Sequence, residues 1–394
     1  MELKKYKLGE ILDVTRGASL SGEFYAAEGE YVRLTCGNFD YQNNCFKENK
    51  AKDNLYYIGD FKPDFLMKEG DIITPLTEQA IGLLGSTAII PESGKYIQSQ
   101  DVAKIVCKEH LLDKDFAFYL ISSNLVKQQL SAAAQQTKIR HTSPDKIKDC
   151  IVWIPELEEQ KRIGKLLRTI DLKIELNRQL NQNLEAMAKQ LYDYWFVQFD
   201  FPDENGKPYK SSGGKMVWDK RLKREIPLLW KAKIVEEVAD VYNGATPSTV
   251  NELNYGGDIV WITPKDLSDQ KQKFVYQGER NISQVGYDSC STHLLPSNTI
   301  LMSSRAPIGL LAIAKTELCT NQGFKSFVSK SKNIATYLYY YLQYHITQIE
   351  QLGTGTTFKE VSREDILKFP MLKPSDNVLD LYGKKLYQHS MTGS

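Results

Sequence analysis

The sequence contains the same pattern twice, and this repeat limits the folds that the chain can adopt. EILDVTRGA at 10–18 returns as EVADVYNGA at 237–245, and IGLL occurs unchanged at 81–84 and 308–311. The basic segment TKIRHTSPDKI at 137–147 returns in a more divergent form as TTFKEVSREDI at 356–366. A repeat this long that occurs only twice argues against a solenoid of short repeats. It predicts two copies of one domain.

Each copy alternates short apolar runs with turn residues. The runs YVRLT, GDIITP and VAKIVC in the first copy have the length and composition of β-strands. Apolar residues at helical spacing predict one helix near 113–131 in the first copy and one near 333–350 in the second. We therefore expect an α+β fold with two homologous mixed α/β domains, at 1–155 and 231–374, in a pseudo-two-fold internal repeat.

A long helix is predicted between the copies, at 156–199. Its heptad seam consists of Ile163, Leu167, Ile170, Ile174, Asn177, Asn181, Leu184, Ala188, Leu191 and Trp195. A helix of about 44 residues rises roughly 65 Å, which is more than one small domain can cover. A partner helix is therefore expected. The two asparagines either fix the register of that pairing or turn outwards to water.

Two further segments adjoin the second copy. Residues 200–230 concentrate Pro, Gly, Ser and Lys, which predicts a linker that reverses the chain direction. The basic cluster within it, at 220–224, suits either a solvated face or a DNA contact. Residues 375–394 begin another helix that is shorter than the central one, so we expect a C-terminal helix that is cut short.

Composition and missing motifs limit the function. The chain of 394 residues has 50 basic and 49 acidic residues, so a DNA-binding surface requires positive charge gathered on one face. Its six cysteines and five histidines are scattered, which indicates neither a metal site nor a disulfide framework. The phosphate-loop, HExxH, GxSxG and Asn-Pro-Pro-aromatic motifs are missing. Neither a membrane span of roughly 18 apolar residues nor a signal peptide is recognisable. These features predict a cytoplasmic chain that is not catalytic by itself.

Polar turns recur at matching places in both copies. They combine small turn residues with cationic, amide and hydroxyl side chains, which can bind base edges and phosphates. Plain turns are the alternative, because turns favour these residues for backbone reasons. Arg140 and Lys359 are the strongest pair, since each follows a flexible polar run. The candidate DNA contacts are Arg16, Asn38, Gln79, Lys138, Arg140, Thr246, Lys265, Arg305, Asn321, Gln322, Lys325 and Lys359.

With its repeat, central helix and linker, the chain resembles the specificity subunit of type I restriction-modification systems over essentially its whole length. The phrases that carry the resemblance are TKIRHTSPDKI, IVWIPELEEQKRIGKLL at 151–167, LYDYWFVQFDFP at 191–202, NGKPYKSSGG at 205–214, VYNGATPST at 241–249 and GTGTTFKEVSREDILKFP at 353–370. The resemblance implies two target-recognition domains that each read one half of a bipartite site in double-stranded DNA. Differences between the copies, such as Arg16 against Asn243 and Glu78 against Ser304, fit two different half-sites or drift after duplication.

The resemblance also implies partners. Two long antiparallel helices fix the gap between the half-sites and dock two modification subunits, which bind S-adenosylmethionine and methylate adenine at N6. Restriction subunits add cleavage that depends on ATP and Mg, while this chain itself binds no cofactor and no metal. The docking surface would be Ile163, Leu167, Ile170, Ile174, Asn177, Asn181, Leu184 and Leu191. Because the C-terminal helix is short, we expect the exposed seam to pair with a second copy of the chain or with a partner subunit.

Two alternatives from other classes remain open. One is an assembly scaffold whose two domains bind only protein partners. The other is a nuclease or methyltransferase with unrecognised motifs.

Overall fold

A computed structural model describes residues 2–50, 53–78, 82–133, 140–270, 272–305, 307–331, 333–355 and 359–391. The chain divides into two compact units, Met1–Arg178 and Gln179–Ser394.

The first unit is a mixed α/β domain. Its strands are β1 (Lys4–Lys7), β2 (Leu12–Arg16), β3 (Tyr25–Ala26), β4 (Tyr31–Arg33), β5 (Phe39–Asp40), β6 (Cys45–Phe46), β7 (Tyr56–Tyr57), β8 (Ile72–Pro75), β9 (Thr77–Glu78), β10 (Ala88–Ile89), β11 (Tyr96–Ile97), β12 (Val102–Cys107), β13 (Arg140–His141) and β14 (Ile151–Ile154). Its short helices are α1 (Leu8–Ile11), α2 (Lys114–Ile121), α3 (Asn124–Ala133) and α4 (Pro144–Lys148). The main sheet has the antiparallel order β10-β8-β12-β2, with α2, α3 and α4 contributing buried apolar residues to the core.

The long helix α5 (Leu157–Tyr192) comes next, and its residues after Arg178 belong to the second unit. The second unit continues with β15 (Met216–Asp219), β16 (Arg224–Pro227), β17 (Lys231–Ile234), β18 (Ala239–Asn243), β19 (Tyr255–Ile262), β20 (Phe274–Val275), β21 (Asn281–Ile282), β22 (Ile300–Ser303), β23 (Leu311–Ala314), β24 (Cys319–Thr320), β25 (Phe324–Ser329) and β26 (Pro370–Lys373). Its helices are α6 (Pro264–Gln270), α7 (Gln284–Asp288), α8 (Ile334–Tyr344), α9 (Ile346–Gln351), α10 (Arg363–Lys368) and α11 (Asp376–Met391).

The two units share one topology. The order β23-β22-β25-β18 in the second unit repeats β10-β8-β12-β2 in the first. The parallel pair β24–β19 repeats β11–β4, and the antiparallel pair β17–β26 repeats β1–β14. The predicted α+β fold with two homologous domains is confirmed. The second sheet is wider, because β20 adds a parallel strand beside β23.

The helix α5 is bound at each end by the unit to which that end belongs. In the first unit the buried Gln160 amide accepts from the Asp113 N–H at 3.0 Å and donates to the Leu111 carbonyl at 3.1 Å. The Tyr119 hydroxyl donates to Asp171 at 2.6 Å. In the second unit the Tyr340 hydroxyl donates to Glu185 at 3.2 Å.

An aromatic core encloses the end of α5. The helix passes into a π-helical turn at Asp193–Val197, where Trp195 and Phe196 are buried. Both rings contact Tyr382 of α11, at centroid distances of 5.8 Å and 4.8 Å. A short partner helix is therefore present for this end of the seam, within the same unit.

Three sequence predictions change in detail. The helices expected near 113–131 and 333–350 are each broken in two, α2–α3 and α8–α9. In the first, the hydroxyls of Ser122 and Ser123 bind the carbonyls of the preceding turn, which ends the helix. The expected linker at 200–230 contains the hairpin β15–β16, and its Phe201, Ile226 and Trp230 are buried. That segment is therefore part of the second core.

Candidate nucleic-acid interface

Backbone hydrogen bonds fix which residues of the two copies correspond. In the first copy the Leu76 N–H donates to the Asp101 carbonyl at 2.8 Å, and the Leu76 carbonyl accepts from the Thr142 N–H at 2.8 Å. In the second copy Ser304 makes the same two bonds, with Gly323 at 2.8 Å and Val361 at 3.0 Å. Leu76 therefore corresponds to Ser304.

The same register shows which neighbouring residues of the two copies correspond. Counting outwards, Thr77 corresponds to Arg305, His141 to Glu360 and Arg140 to Lys359. The expected pairing of Glu78 with Ser304 is wrong, because the position equivalent to Ser304 is Leu76. The pairing of Arg16 with Asn243 is correct, since these residues face Ala103 and Lys325 at the same step of the sheet.

In the first copy, polar turns from four parts of the chain, near residues 16, 77, 100 and 141, meet at one end of the sheet. Strand β13 pairs with β9, which brings His141 opposite Thr77. The Thr77 hydroxyl lies 3.3 Å from His141 Nδ1 and 3.4 Å from Asp101 Oδ1. The Arg16 Nε donates to the Gln100 carbonyl at 2.8 Å. Turns far apart in sequence thus form one polar surface.

The second copy brings the equivalent turns together with different side chains. Arg305 and Glu360 form an isolated antiparallel bridge. The buried Lys325 donates to Glu360 at 3.1 Å and to the Ser304 hydroxyl at 3.3 Å. The Thr246 hydroxyl donates to the Gln322 amide oxygen, which joins two further turns. In the second copy this surface therefore has the charged residues Arg305 and Glu360 at the positions that Thr77 and His141 occupy in the first.

Two buried polar residues support these turns. Asn38, 2% exposed, accepts from the Thr35 N–H at 2.9 Å, and Asp266, 6% exposed, accepts from the Thr263 N–H at 2.7 Å. Their second hydrogen-bond partners differ. Asn38 donates to the Lys47 carbonyl, whereas Asp266 accepts from the Glu279 N–H. Asn38 was expected to contact DNA, but its amide is used inside the domain. Its role is to hold the turn.

A glycine at the same position of both copies allows two backbone segments to touch. A Cβ on Gly17 would lie 2.3 Å from the Gln98 carbonyl oxygen, and one on Gly244 would lie 2.1 Å from the Asn321 carbonyl oxygen. Real Cβ atoms do not approach so closely, so only glycine fits without backbone movement. The repeated phrase RGA/NGA thus marks a repeated close contact at the edge of the polar surface.

The predicted contact residues divide by accessibility. Arg16, Thr246, Lys265, Gln322 and Lys359 are exposed. The half-buried ones are Arg305 and Asn321, and Asn321 accepts from the Gly323 N–H at 2.9 Å. The exposed Lys265 forms an ion pair with Glu279 at 2.8 Å.

The remaining candidates are buried or not described. Lys325 is buried beside Glu360, so its ammonium faces the protein. Gln79 and Lys138 lie outside the described residues, and Arg140 is described by its backbone alone. The sequence did not single out His141 and Glu360. Their position next to Arg140 and Lys359 was the available signal.

The predicted seam of α5 is half-buried or buried at its ends and exposed in its middle. Ile163 and Leu167 are half-buried in the first unit, and Leu184 and Leu191 are half-buried in the second. Between them Ile170 and Ile174 are 47% and 43% exposed, and both asparagines of the seam, at 177 and 181, are also exposed. Leu166, Leu172 and Leu176 add further exposed apolar area to the helix. Large exposed apolar groups on one helix indicate an interaction surface.

Among the described residues, no group of three or more His, Cys, Asp or Glu is placed to hold a metal ion, and no helix has the length and apolar character needed to cross a membrane.

Comparison with known proteins identifies the family. The family model of the type I restriction modification DNA specificity domain matches residues 1–186 and 227–377, which is most of the chain and includes both copies. The chain belongs to this family. The prediction of a non-catalytic DNA-recognition subunit is thereby confirmed, with catalysis residing in partner subunits.

Individual relatives agree with the specificity-domain assignment. The type I restriction enzyme MjaIX specificity subunit of Methanocaldococcus jannaschii is 37% identical over 167 residues, which is 41% of this chain and 39% of that subunit. The HindI specificity subunit of Haemophilus influenzae is 24% identical over 434 residues, covering 97% of this chain and 92% of the relative. The S subunit of the type I restriction-modification system of M. genitalium has the same fold, with a TM-score of 0.58 at 14% identity, over 100% of this chain and 92% of that one.

Proposed function

We propose that each of the two domains, at 1–155 and 231–374, reads one half of a bipartite site in double-stranded DNA, and that the chain directs adenine-N6 methylation or restriction by its partners to that site. The observation that carries the proposal is the repeated polar surface, which keeps its backbone register while its side chains differ. A duplicated scaffold with different hydrogen-bonding groups suits two different half-sites.

The proposed contacts are the predicted polar residues that are exposed or half-buried, together with those whose side chains the structure does not describe. In the first domain they are Arg16 and Arg140, together with the undescribed Gln79 and Lys138. In the second they are Thr246, Lys265, Arg305, Asn321, Gln322 and Lys359. Asn38 and Lys325 act indirectly in this proposal, because their polar atoms are engaged inside the domain. Positively charged residues would bind phosphates or guanine, and the amides would bind adenine.

The exposed middle of α5 is the proposed docking surface for two modification subunits. Its apolar residues Ile170 and Ile174 support a protein partner, since burying them would remove apolar area from water. A second copy of the chain is the other occupant that we propose for this surface. S-adenosylmethionine, ATP and Mg belong to the modification and restriction subunits in this scheme. The scheme also includes a cytoplasmic location, since six cysteines scattered through the sequence are typical of a reducing compartment.

Binding to duplexes with two half-sites tests DNA recognition. The bipartite site is first found by sequencing methylated adenines in cells that carry the chain with its modification partner. Arg140→Ala should then weaken binding only to duplexes in which the first half-site is intact, and Lys359→Ala only to those with the second. The affinity should fall as salt rises, because phosphate contacts release counterions.

Lys231→Ala is the matched control, since Lys231 is an exposed lysine in β17 of the second domain. Equal losses at both half-sites, or none, would contradict the assignment of one half-site to each domain. Retained partner assembly without any DNA binding would favour the protein-scaffold alternative.

Sedimentation tests the docking surface. Ile170→Gln combined with Ile174→Gln should weaken binding of the modification subunit or self-association, while the DNA-contact residues are untouched. Ile58→Gln provides the control, because Ile58 is 64% exposed and lies outside α5. Unchanged assembly in the double variant would exclude this part of the helix as the interface.

A further inference from the structure

The backbone of Glu360 is held on both sides. Its N–H and its carbonyl both bond to Thr354, each at 3.0 Å, and the opposite edge of the segment forms the bridge to Arg305. These bonds fix the backbone from which the side chain extends, and the hydrogen bond from the buried Lys325 holds its carboxylate. Glu360 is thus positioned before any ligand arrives.

The carboxylate of Glu360 is only partly used. One oxygen accepts from Lys325 at 3.1 Å, and the other lies 4.0 Å from the Arg305 guanidinium. A distance of 4.0 Å is an electrostatic contact and is too long for a hydrogen bond. The two side chains remain 42% and 35% exposed. Acceptor lone pairs of Glu360 and donor N–H groups of Arg305 therefore remain able to bind a ligand side by side.

The surrounding charges allow this carboxylate to approach DNA. An isolated glutamate would be repelled by phosphates, but here two cations, Lys325 and Arg305, flank one anion. The cluster therefore carries a net positive charge. Lys325 is fixed in place because it is buried and also binds the Ser304 hydroxyl.

An acceptor beside a fork of donors is complementary to one kind of base pair. In the major groove a C·G pair presents the cytosine N4 donor next to the guanine O6 and N7 acceptors. Carboxylates accept from cytosine N4, and arginine binds guanine O6 and N7 with two hydrogen bonds. Glu360 and Arg305 together match that pattern.

The equivalent positions of the first domain hold different groups. His141 replaces Glu360, and Thr77 replaces Arg305, with 3.3 Å between the imidazole and the hydroxyl. This pair lacks the carboxylate and the guanidinium. The first domain would therefore read a different base pair at the corresponding step.

We propose that Arg305 and Glu360 are a specificity-determining pair that reads one C·G base pair in the half-site of the second domain. The proposal rests on the proposed function and adds to it the identity of one base pair and the two residues that select it.

The test is selection of duplexes from a randomised library by the full chain, followed by sequencing. Glu360→Gln should reduce the preference for cytosine at one position of one half-site about tenfold or more, because the amide nitrogen replaces an acceptor. Arg305→Ala should reduce the preference for guanine at the same base pair, and the other half-site should be unchanged. Glu237→Gln is the control, since Glu237 is also a glutamate ion-paired to a lysine in the second domain.

Unfolding curves of each variant report whether it is folded, and two independent substitutions keep the test decisive if one fails. A wild-type motif retained by both variants would overturn the pair while leaving the proposed function intact. A uniform loss of affinity for all sequences, or an effect at a pair other than C·G, would also overturn it. If the wild-type chain selects no bipartite motif, the proposed function itself fails.

Discussion

The two copies keep the same backbone and differ in the side chains that project from it. Leu76 and Ser304 make the same pair of backbone hydrogen bonds, and a glycine allows the same close contact in each domain. At the polar surface, by contrast, Thr77 and His141 in one copy become Arg305 and Glu360 in the other. Backbone contacts constrain every residue that shares them, whereas an exposed side chain changes at little cost to stability. Duplication can therefore yield two readers with different preferences.

The largest expected difference between the units is their response to alkaline pH. Burial raises the pKa of six tyrosines in the second unit, Tyr192, Tyr337, Tyr339, Tyr340, Tyr341 and Tyr382. In the first unit three of the described tyrosines have a raised pKa: Tyr119 through burial and the bond to Asp171, Tyr96 through burial, and Tyr31 through the hydrogen bond to Glu30. A raised folded pKa means that stability is lost as pH rises above about 10, where the unfolded tyrosines ionise. Each such group can cost about 1.4 kcal/mol per pH unit.

The second unit should thus lose structure at a lower alkaline pH than the first. Burial lowers the pKa of Lys273, so its contribution has the opposite sign, but it is one group against six. Limited proteolysis between pH 9 and roughly 11, mapped by mass spectrometry, measures the order of unfolding. Cleavage of both units at the same pH would contradict this difference.

The next largest effect concerns the shared glycine contact. Gly17→Ala and Gly244→Ala should each destabilise its own domain by about 3 kcal/mol, because the new Cβ meets a carbonyl oxygen. Gly383→Ala is the control, since nothing lies within 4 Å of its Cβ position in α11. That substitution should stabilise the helix by about 0.5–1 kcal/mol. Thermal unfolding measures the stability of all three variants. If only one of the two substitutions, Gly17→Ala or Gly244→Ala, destabilised its domain, the two glycine contacts would not be equivalent.

A smaller effect should follow from exchanging the residue types of Asn38 and Asp266, the two buried residues that hold equivalent turns. Asn38→Asp places a carboxylate against the Lys47 carbonyl, and Asp266→Asn can place an amide donor against the Glu279 N–H. Each exchange should cost about 1–2 kcal/mol, because the buried side chain loses one of its hydrogen bonds. Chemical denaturation measures the loss. If both exchanges are neutral, the second partner does not determine which residue each copy uses.

The smallest effect on stability is expected in the middle of α5, where the side chains belong to the core of neither copy. Ile174→Gln should change the free energy of unfolding of the isolated chain by less than about 0.5 kcal/mol, because the side chain is largely exposed. Denaturant midpoints measure this change. A larger loss would show that Ile174 is packed within the chain.

Much of the architecture follows from local sequence patterns. The repeat predicted two homologous domains, and the heptad seam predicted α5, because both signals depend on residues close in sequence. The breaks within the helices near 122 and 345 were missed, since serine hydroxyls and a histidine compete locally for helix carbonyls. The hairpin in the segment 200–230 was missed because its burial depends on the distant aromatic core.

For the polar surface, the sequence identified the turns but not the residues that meet there. Arg140 and Lys359 were paired correctly because each stands in a repeated phrase. Asn38 and Lys325 were taken for DNA contacts because amides and cations have the right chemistry, but both are buried and bound to partners within their domain. His141 and Glu360 were not singled out, because their place on this surface depends on strand pairing with residues more than fifty positions away.

The sequence by itself determined the duplication, the fold class, the central helix and the family, because these are carried by residue types in order along the chain. Tertiary structure decided which polar groups are accessible and which are used to hold turns. Burial depends on residues distant in sequence, so two lysines of the same surface differ in what they can contact: Lys325 is buried and Lys359 is exposed. The placement of an acceptor beside a donor at Glu360 and Arg305 was visible only once the strands were paired.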